Sequence, residues 1–192
     1  MPQPWSPAIA GIELRTVPAG LVVLDALVKE AWVTIRYGGD IDPSHFLVLF
    51  DGALGDVESA LSRALDVAGG DALETLLLPQ AHDHLRAALA GRFVTAAEAL
   101  GHEWALGSLQ CHSVLGTLAA ADRALKAAET ALLRLRLASE LGGQGHIVLV
   151  GEQFNIKTTL KITITNTNIN ITITNQIVPR PAEATLDRKS VV

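Results

Sequence analysis

Residues 10–31 (AGIELRTVPAGLVVLDALVKEA) and 107–128 (GSLQCHSVLGTLAAADRALKAA) repeat one pattern, a short strand run followed by a helical run. Ninety-seven residues separate Asp25 from Asp122, Lys29 from Lys126 and Ala31 from Ala128. The repeat therefore places an Asp and a Lys one helical turn apart in each copy. Further along, Phe46–Gly52 matches His146–Gly151, and Leu78-Pro79 matches Val178-Pro179. A chain with two such copies must fold as two like units.

Each copy reads as strand, helix, strand, strand, helix, strand. In the first, Ile12–Thr16 alternates as a strand, and Pro18 suits the first turn of a helix running to about Ala31. Trp32–Tyr37 and Phe46–Phe50 read as strands around a loop from Gly38 to His45, where Gly and Pro interrupt regular structure. Asp56 is placed to cap a helix in which Val57, Ala60, Leu61, Ala64, Leu65 and Ala68 recur at three and four. Glu74–Leu78 closes the unit as a strand, with a terminal helix over Ala81–Ala90. The fold class expected is α+β: two tandem ferredoxin-like βαββαβ units in unpermuted order, each with helices on one face of an antiparallel sheet.

Composition limits the function. The 192 residues are 49% hydrophobic but only 4% aromatic, so Ala, Val, Leu and Ile must build the core. Apolar runs break at Asp25 and Lys29, well short of the roughly 20 residues a membrane helix needs. Surplus apolar surface points instead to contacts between subunits. A net charge of -5 without a basic cluster argues against nucleic acid. The opening Met1–Pro7 has neither a basic stretch nor an apolar one and reads as a short disordered arm. One cysteine, Cys111, excludes an intrachain disulfide and reads as a small buried hydrophobe. His82-Asp83-His84 offers ligand types for a metal, but positions two apart on a helix face different ways, so a solvent or interface role is favoured. No nucleophile elbow, phosphate loop or dinucleotide fingerprint is present, and no catalytic residue is assigned.

One segment breaks with the rest. In Gln153–Gln176, Thr, Ile and Asn fill 18 of 24 positions, with no Ala, Asp or Glu. Ile162, Ile164, Ile169, Ile171 and Ile173 alternate at strand period. The length nevertheless matches the helix-bearing segment of the first copy. The repeat therefore predicts a helix over about 155–170 and a strand near 173–179, against the local preference for a hairpin.

In their order and spacing, Ala105-Leu-Gly107, Ala120–Ala128, the glycine loop Leu141–Gly145 and Val178-Pro-Arg-Pro181 resemble the shell proteins of bacterial microcompartments. The first copy carries weaker versions in Gly11-Ile-Glu13, Asp25–Lys29 and Leu78–His82. The resemblance is to the tandem-domain class, in which three chains close into a pseudohexagonal tile that packs edge to edge and has a central pore. It implies a non-enzymatic structural protein with no cofactor, residing in a shell in the cytoplasm. Its partners would be itself, as a homotrimer, and other shell hexamers and pentamers. The implied layout is an arm over 1–8, shell domains over 9–90 and 105–182, a linker over 91–104 and a tail over 183–192. The unpermuted order points to a single-layer tile, and pore loops without cysteine do not support an iron–sulfur cluster.

By the same resemblance, Asp25, Lys29, Asp122, Lys126 and Arg180 lie at the tile edge, and Gln80 stands where Arg180 has its counterpart. The alternative is that the two Asp–Lys pairs are ordinary helix-surface pairs worth about 0.2–0.5 kcal/mol each. Asp40, Ile41, Asp42, Pro43 and Ser44 of the first copy and Glu140, Leu141, Gly142 and Gly143 of the second match the pore loops. Acids facing the axis would disfavour anions; acids in a solvated turn would not. A different class also fits paired βαββαβ units, a regulatory module binding a small effector between them.

Overall fold

The computed structural model describes residues 4–94, 104–138, 142–165 and 176–177. The first half runs β1 (Ala8–Leu14), α1 (Val17–Glu30), β2 (Val33–Ile41), β3 (His45–Gly52), α2 (Leu54–Ala68), a 3-10 turn over Gly69–Asp71, β4 (Ala72–Leu78) and α3 (Asp83–Leu89). The second runs β5 (Trp104–Cys111), α4 (Val114–Ala127), β6 (Thr130–Leu137), β7 (Gly145–Glu152), α5 (Gln153–Thr165) and β8 (Gln176–Ile177). Both sheets are antiparallel, ordered β2-β3-β1-β4 and β6-β7-β5-β8. That is the ferredoxin-like order, twice and unpermuted.

Local chemistry explains the helix starts. Thr16 caps α1 by accepting from the backbone N–H of Ala19, and Ser113 caps α4 by accepting from that of Gly116. Asp56 does not cap α2. The helix begins two residues earlier, after Ala53, and Asp56 contributes a negative charge to its first turn. β2 likewise exceeds expectation, because Gly38, Gly39 and Asp40 pair with Val48, Leu47 and Phe46. Only residues 42–44 turn. Strand pairing supplies the hydrogen bonds that the glycines alone would not secure.

The segment of Thr, Ile and Asn is helical over Gln153–Thr165. Ile156, Thr159, Leu160 and Thr163 are buried at spacings of three and four. The Thr163 hydroxyl is satisfied by donating to the Thr159 carbonyl at 2.8 Å, as a buried polar group requires. Packing of this face on β5 and α4 overrides a local preference for strand. β8 pairs Ile177 with Ala105 and Gln176 with Leu106, in the region where a strand was expected.

The opening segment differs from the disordered arm expected over 1–8. Trp5 is buried, Ala8 begins β1, and the Pro7 carbonyl accepts from Ala81 N–H at 2.8 Å. The Asp51 carboxylate accepts from Ser6 N–H and, in a two-pronged pair at 2.7 and 2.8 Å, from Arg36. Arg36 also donates to the Pro4 carbonyl and lies over the Trp5 ring, 5.2 Å from its centroid. Composition hid this because each partner lies about thirty or more residues away.

Two cores form. One fills the space between β1, β3, α1 and α2. The other joins the halves: Ile9, Leu47, Leu49, Leu76 and Leu85 of the first pack with Leu109, Leu115, Leu118 and Leu149 of the second. Gly11 permits this approach, since a methyl there would stand 2.5 Å from the Leu115 side chain.

Candidate functional site

α4 is buried on two fronts, on its own sheet and against β1, β4 and α3 of the first half. At the joint, Asp122 accepts the backbone N–H of His82 at 2.8 Å and pairs with Lys126 at 2.5 Å. Lys126 also donates to the Gln80 carbonyl at 2.6 Å. The turn after β4 is thus clamped onto the second half. Nearby, burial pushes the Glu74 carboxyl up, and Glu13 adds to the rise, while a hydrogen bond from Ser113 opposes it.

Among the described residues, the equivalent surface of α1 has no such cover. Val17, Leu21 and Val28 are 39%, 56% and 53% exposed, whereas their counterparts Val114, Leu118 and Leu125 are 0%, 0% and 4% exposed. Asp25 and Lys29 meet at 2.6 Å in solvent and, among the described residues, do not bond to the other half. The repeat treats the two pairs as equals; the structure separates them into a closed joint and an open one.

The pore-loop candidates also converge. Asp40, Asp42, Pro43 and Ser44 are exposed at the turn between β2 and β3, while Ile41 is buried. With Tyr37 and Ala138 they line an open hollow. Gly143 of the second half adopts a φ of 79° and packs so closely on the Asp42 carbonyl that a side chain would overlap it. Gly142, with φ 60°, is exposed beside it. The two glycine-bearing loops, about one hundred residues apart, are therefore neighbours. Glu140, Leu141 and Arg180 lie outside the described residues.

The other candidates keep structural roles. His82 and His84 meet edge to face at 5.3 Å, and His82 Nδ1 accepts from His84 N–H. Burial and the neighbouring His84 lower the His82 imidazole pKa. Cys111 is buried, and burial pushes its thiol up. Among the described residues, no group of three or more His, Cys, Asp or Glu is arranged to hold a metal, and no helix is long and apolar enough to cross a membrane. Sequence reading missed three features: the Arg36–Asp51 clasp, the exposed Trp32, and a contact on β5 and β7 in which Ser108 Oγ lies 2.8 Å from His146 Nε2. Burial and the adjacent Arg134 and Arg136 lower the His146 pKa. Cross-strand register would have revealed this group, because Arg136 faces His146 directly.

Two fused βαββαβ halves, one joint closed and its twin open, define the architecture of this chain. The BMC domain model matches residues 8–81. The bacterial microcompartment shell protein PduT of Citrobacter freundii is 27% identical over 180 residues, covering 93% of this chain and 95% of that relative. The carboxysome shell protein CcmK2 of Synechococcus elongatus is 32% identical over 95 residues, which span 47% of this chain and 93% of CcmK2. About half of this chain thus corresponds to one whole CcmK2 chain. The chain belongs to the BMC-domain family of microcompartment shell proteins. A microcompartment protein from Desulfitobacterium hafniense DCB shares the fold with a TM-score of 0.70 at 23% identity, over 82% of this chain and 85% of that one. The fused permuted hexameric shell protein MSM0275 of the RMM microcompartment aligns less closely, with a TM-score of 0.54 at 18% identity, covering 81% of this chain and 79% of that one.

Proposed function

We propose that the chain closes on itself as a homotrimer, a pseudohexagonal tile of a cytoplasmic microcompartment shell, structural rather than catalytic, with a small-solute pore on its three-fold axis. The unequal burial of α1 and α4 carries this reading. In α4 the second half meets the first; α1 offers the same surface to whatever stands in the same relation to it. The unit that fits there is the second half of another copy, since it repeats the first. Such a head-to-tail contact closes into a ring when its rotation permits. Val17, Leu21 and Val28 are already about half covered, so burying the remainder contributes about 1 kcal/mol for each.

On this reading Asp25 holds a neighbouring copy as Asp122 holds the turn after β4, while Lys29 and Arg180 keep the tile-edge roles that the family resemblance implies. The halves at 9–90 and 105–182 are the two shell domains. Asp40, Asp42 and Glu140 would then recur three times around the axis and disfavour anions. Light scattering on the purified protein tests the assembly: the expected mass is three times the 20.3 kDa of one chain. A monomer, or a mass that changes only on adding a metabolite, refutes it.

A further inference from the structure

Trp32 is 92% exposed, in the short turn between α1 and β2. Lys29, on the last turn of α1, is also exposed. Tryptophan dominates interface energetics when it enters a desolvated pocket, and in water it contributes nothing to the fold. Its repeat counterpart is Glu129, and the correspondence is structural: the Trp32 carbonyl abuts Gly52 as the Glu129 carbonyl abuts Gly151. Where the first half projects an indole, the second is recessed. Glu129, Ala131, Val150, Glu152 and Asn155, with His84 of the first half, line a cleft of about 310 Å³. Ala131 and Val150 give it apolar wall, and the exposed Glu129 and Glu152 give it negative charge.

We propose that Trp32 of one copy docks into the Glu129–Glu152 cleft of a second copy, with Lys29 against those carboxylates. This contact joins tiles, and so rests on the trimeric reading above. The cleft brings two carboxylates, Glu129 and Glu152, to Lys29, and Lys126 on that edge is already paired with Asp122. Symmetry supplies a second reason. Around a three-fold ring of two-halved chains the edges alternate in kind, so opposite edges are unlike. Tiles that share one orientation therefore always meet first half to second half, and the contact propagates as a layer.

The full-length protein, its Trp32→Glu variant and the pair Trp32→Cys with Ala131→Cys test this by light scattering, electron microscopy of layers and oxidative cross-linking. Trp32 is too exposed for its replacement to disturb folding. The expected result is a trimer in every case. In Trp32→Glu the concentration needed for layers should rise by at least about tenfold. Disulfides should link position 32 of one trimer to position 131 of another. Layers unchanged in Trp32→Glu, cross-links from 32 to 32, or a parent trimer that forms no layers would overturn the docking while leaving the trimer intact. A parent protein that is monomeric would overturn the trimeric reading itself.

Discussion

Asp122 holds the backbone N–H of His82 at 2.8 Å across forty residues of sequence, and it does so while almost wholly buried. Among the described residues, its repeat counterpart Asp25 pairs with Lys29, in solvent. Identical residue types at identical repeat positions thus carry different energies. Asp122→Ala strands the part-buried N–H of His82 and leaves Lys126 with the Gln80 carbonyl but without its carboxylate, and should cost about 1–3 kcal/mol in urea unfolding. Asp25→Ala should change the stability of the single chain by less than about 0.5 kcal/mol, as exposed pairs do. It should instead weaken association, measured as a higher concentration for half-dissociation. Equal costs for the two variants would refute the distinction.

The opening segment should matter to folding. Asp51 is fully buried and its charge is met by Arg36 and the Ser6 N–H. Asp51→Ala leaves a guanidinium that is mostly buried without that carboxylate and should cost about 3 kcal/mol or more in denaturant unfolding. Arg36→Lys cannot reproduce a two-pronged pair and should also destabilise, by about 1–2 kcal/mol. Deleting residues 1–6 should reproduce part of the loss.

Element order and kind were legible in the sequence because the repeat constrained both copies at once. α1, with Pro18 in its first turn, and the helix in the Thr, Ile and Asn segment followed from that constraint. What escaped depends on residues distant in sequence. β2 extends through Gly38 and Gly39 because β3 pairs with it. The Pro4–Pro7 segment is ordered because Arg36, Asp51, Ala81 and Arg86 meet it. The two Asp–Lys pairs looked alike because burial is set by the neighbour and not by the motif. The family resemblance singled out the segments 40–44 and 140–143, yet the contact between them through Gly143 and Asp42 required the fold.

Glu74 gives the joint a pH dependence. Burial raises its folded-state pKa above the unfolded value, so folding takes up protons between the two. The favourable contribution is full below the ordinary glutamate value of about 4.5, and is lost as pH rises through the raised folded value. At neutral pH the ionised carboxylate weighs against the fold. Glu74→Gln should therefore raise the melting temperature at pH 7, and the gain should disappear in the acid range. A gain that persists unchanged at low pH would refute this origin.

Gly143→Ala tests the contact between the two loops. The residue sits at φ 79°, where L side chains are strained, and a methyl would overlap the Asp42 carbonyl. The substitution should destabilise by about 1–2 kcal/mol in thermal unfolding. Gly142→Ala, at φ 60° but with open space around it, should cost less, because only the backbone term applies.

Asp42 tests the proposed pore. It is exposed at the turn beside Gly143, and a trimer would repeat it three times about the axis. Three carboxylates about 10 Å from a passing anion, in water, raise its barrier by about 1 kcal/mol in total. Asp42→Asn should therefore raise the permeability of small anions several-fold relative to neutral solutes of like size, measured across reconstituted tiles at low salt. The difference should shrink at about 1 M salt, where the screening length falls to about 3 Å. An unchanged anion-to-neutral ratio at low salt would place the Asp42 charge away from the solute path.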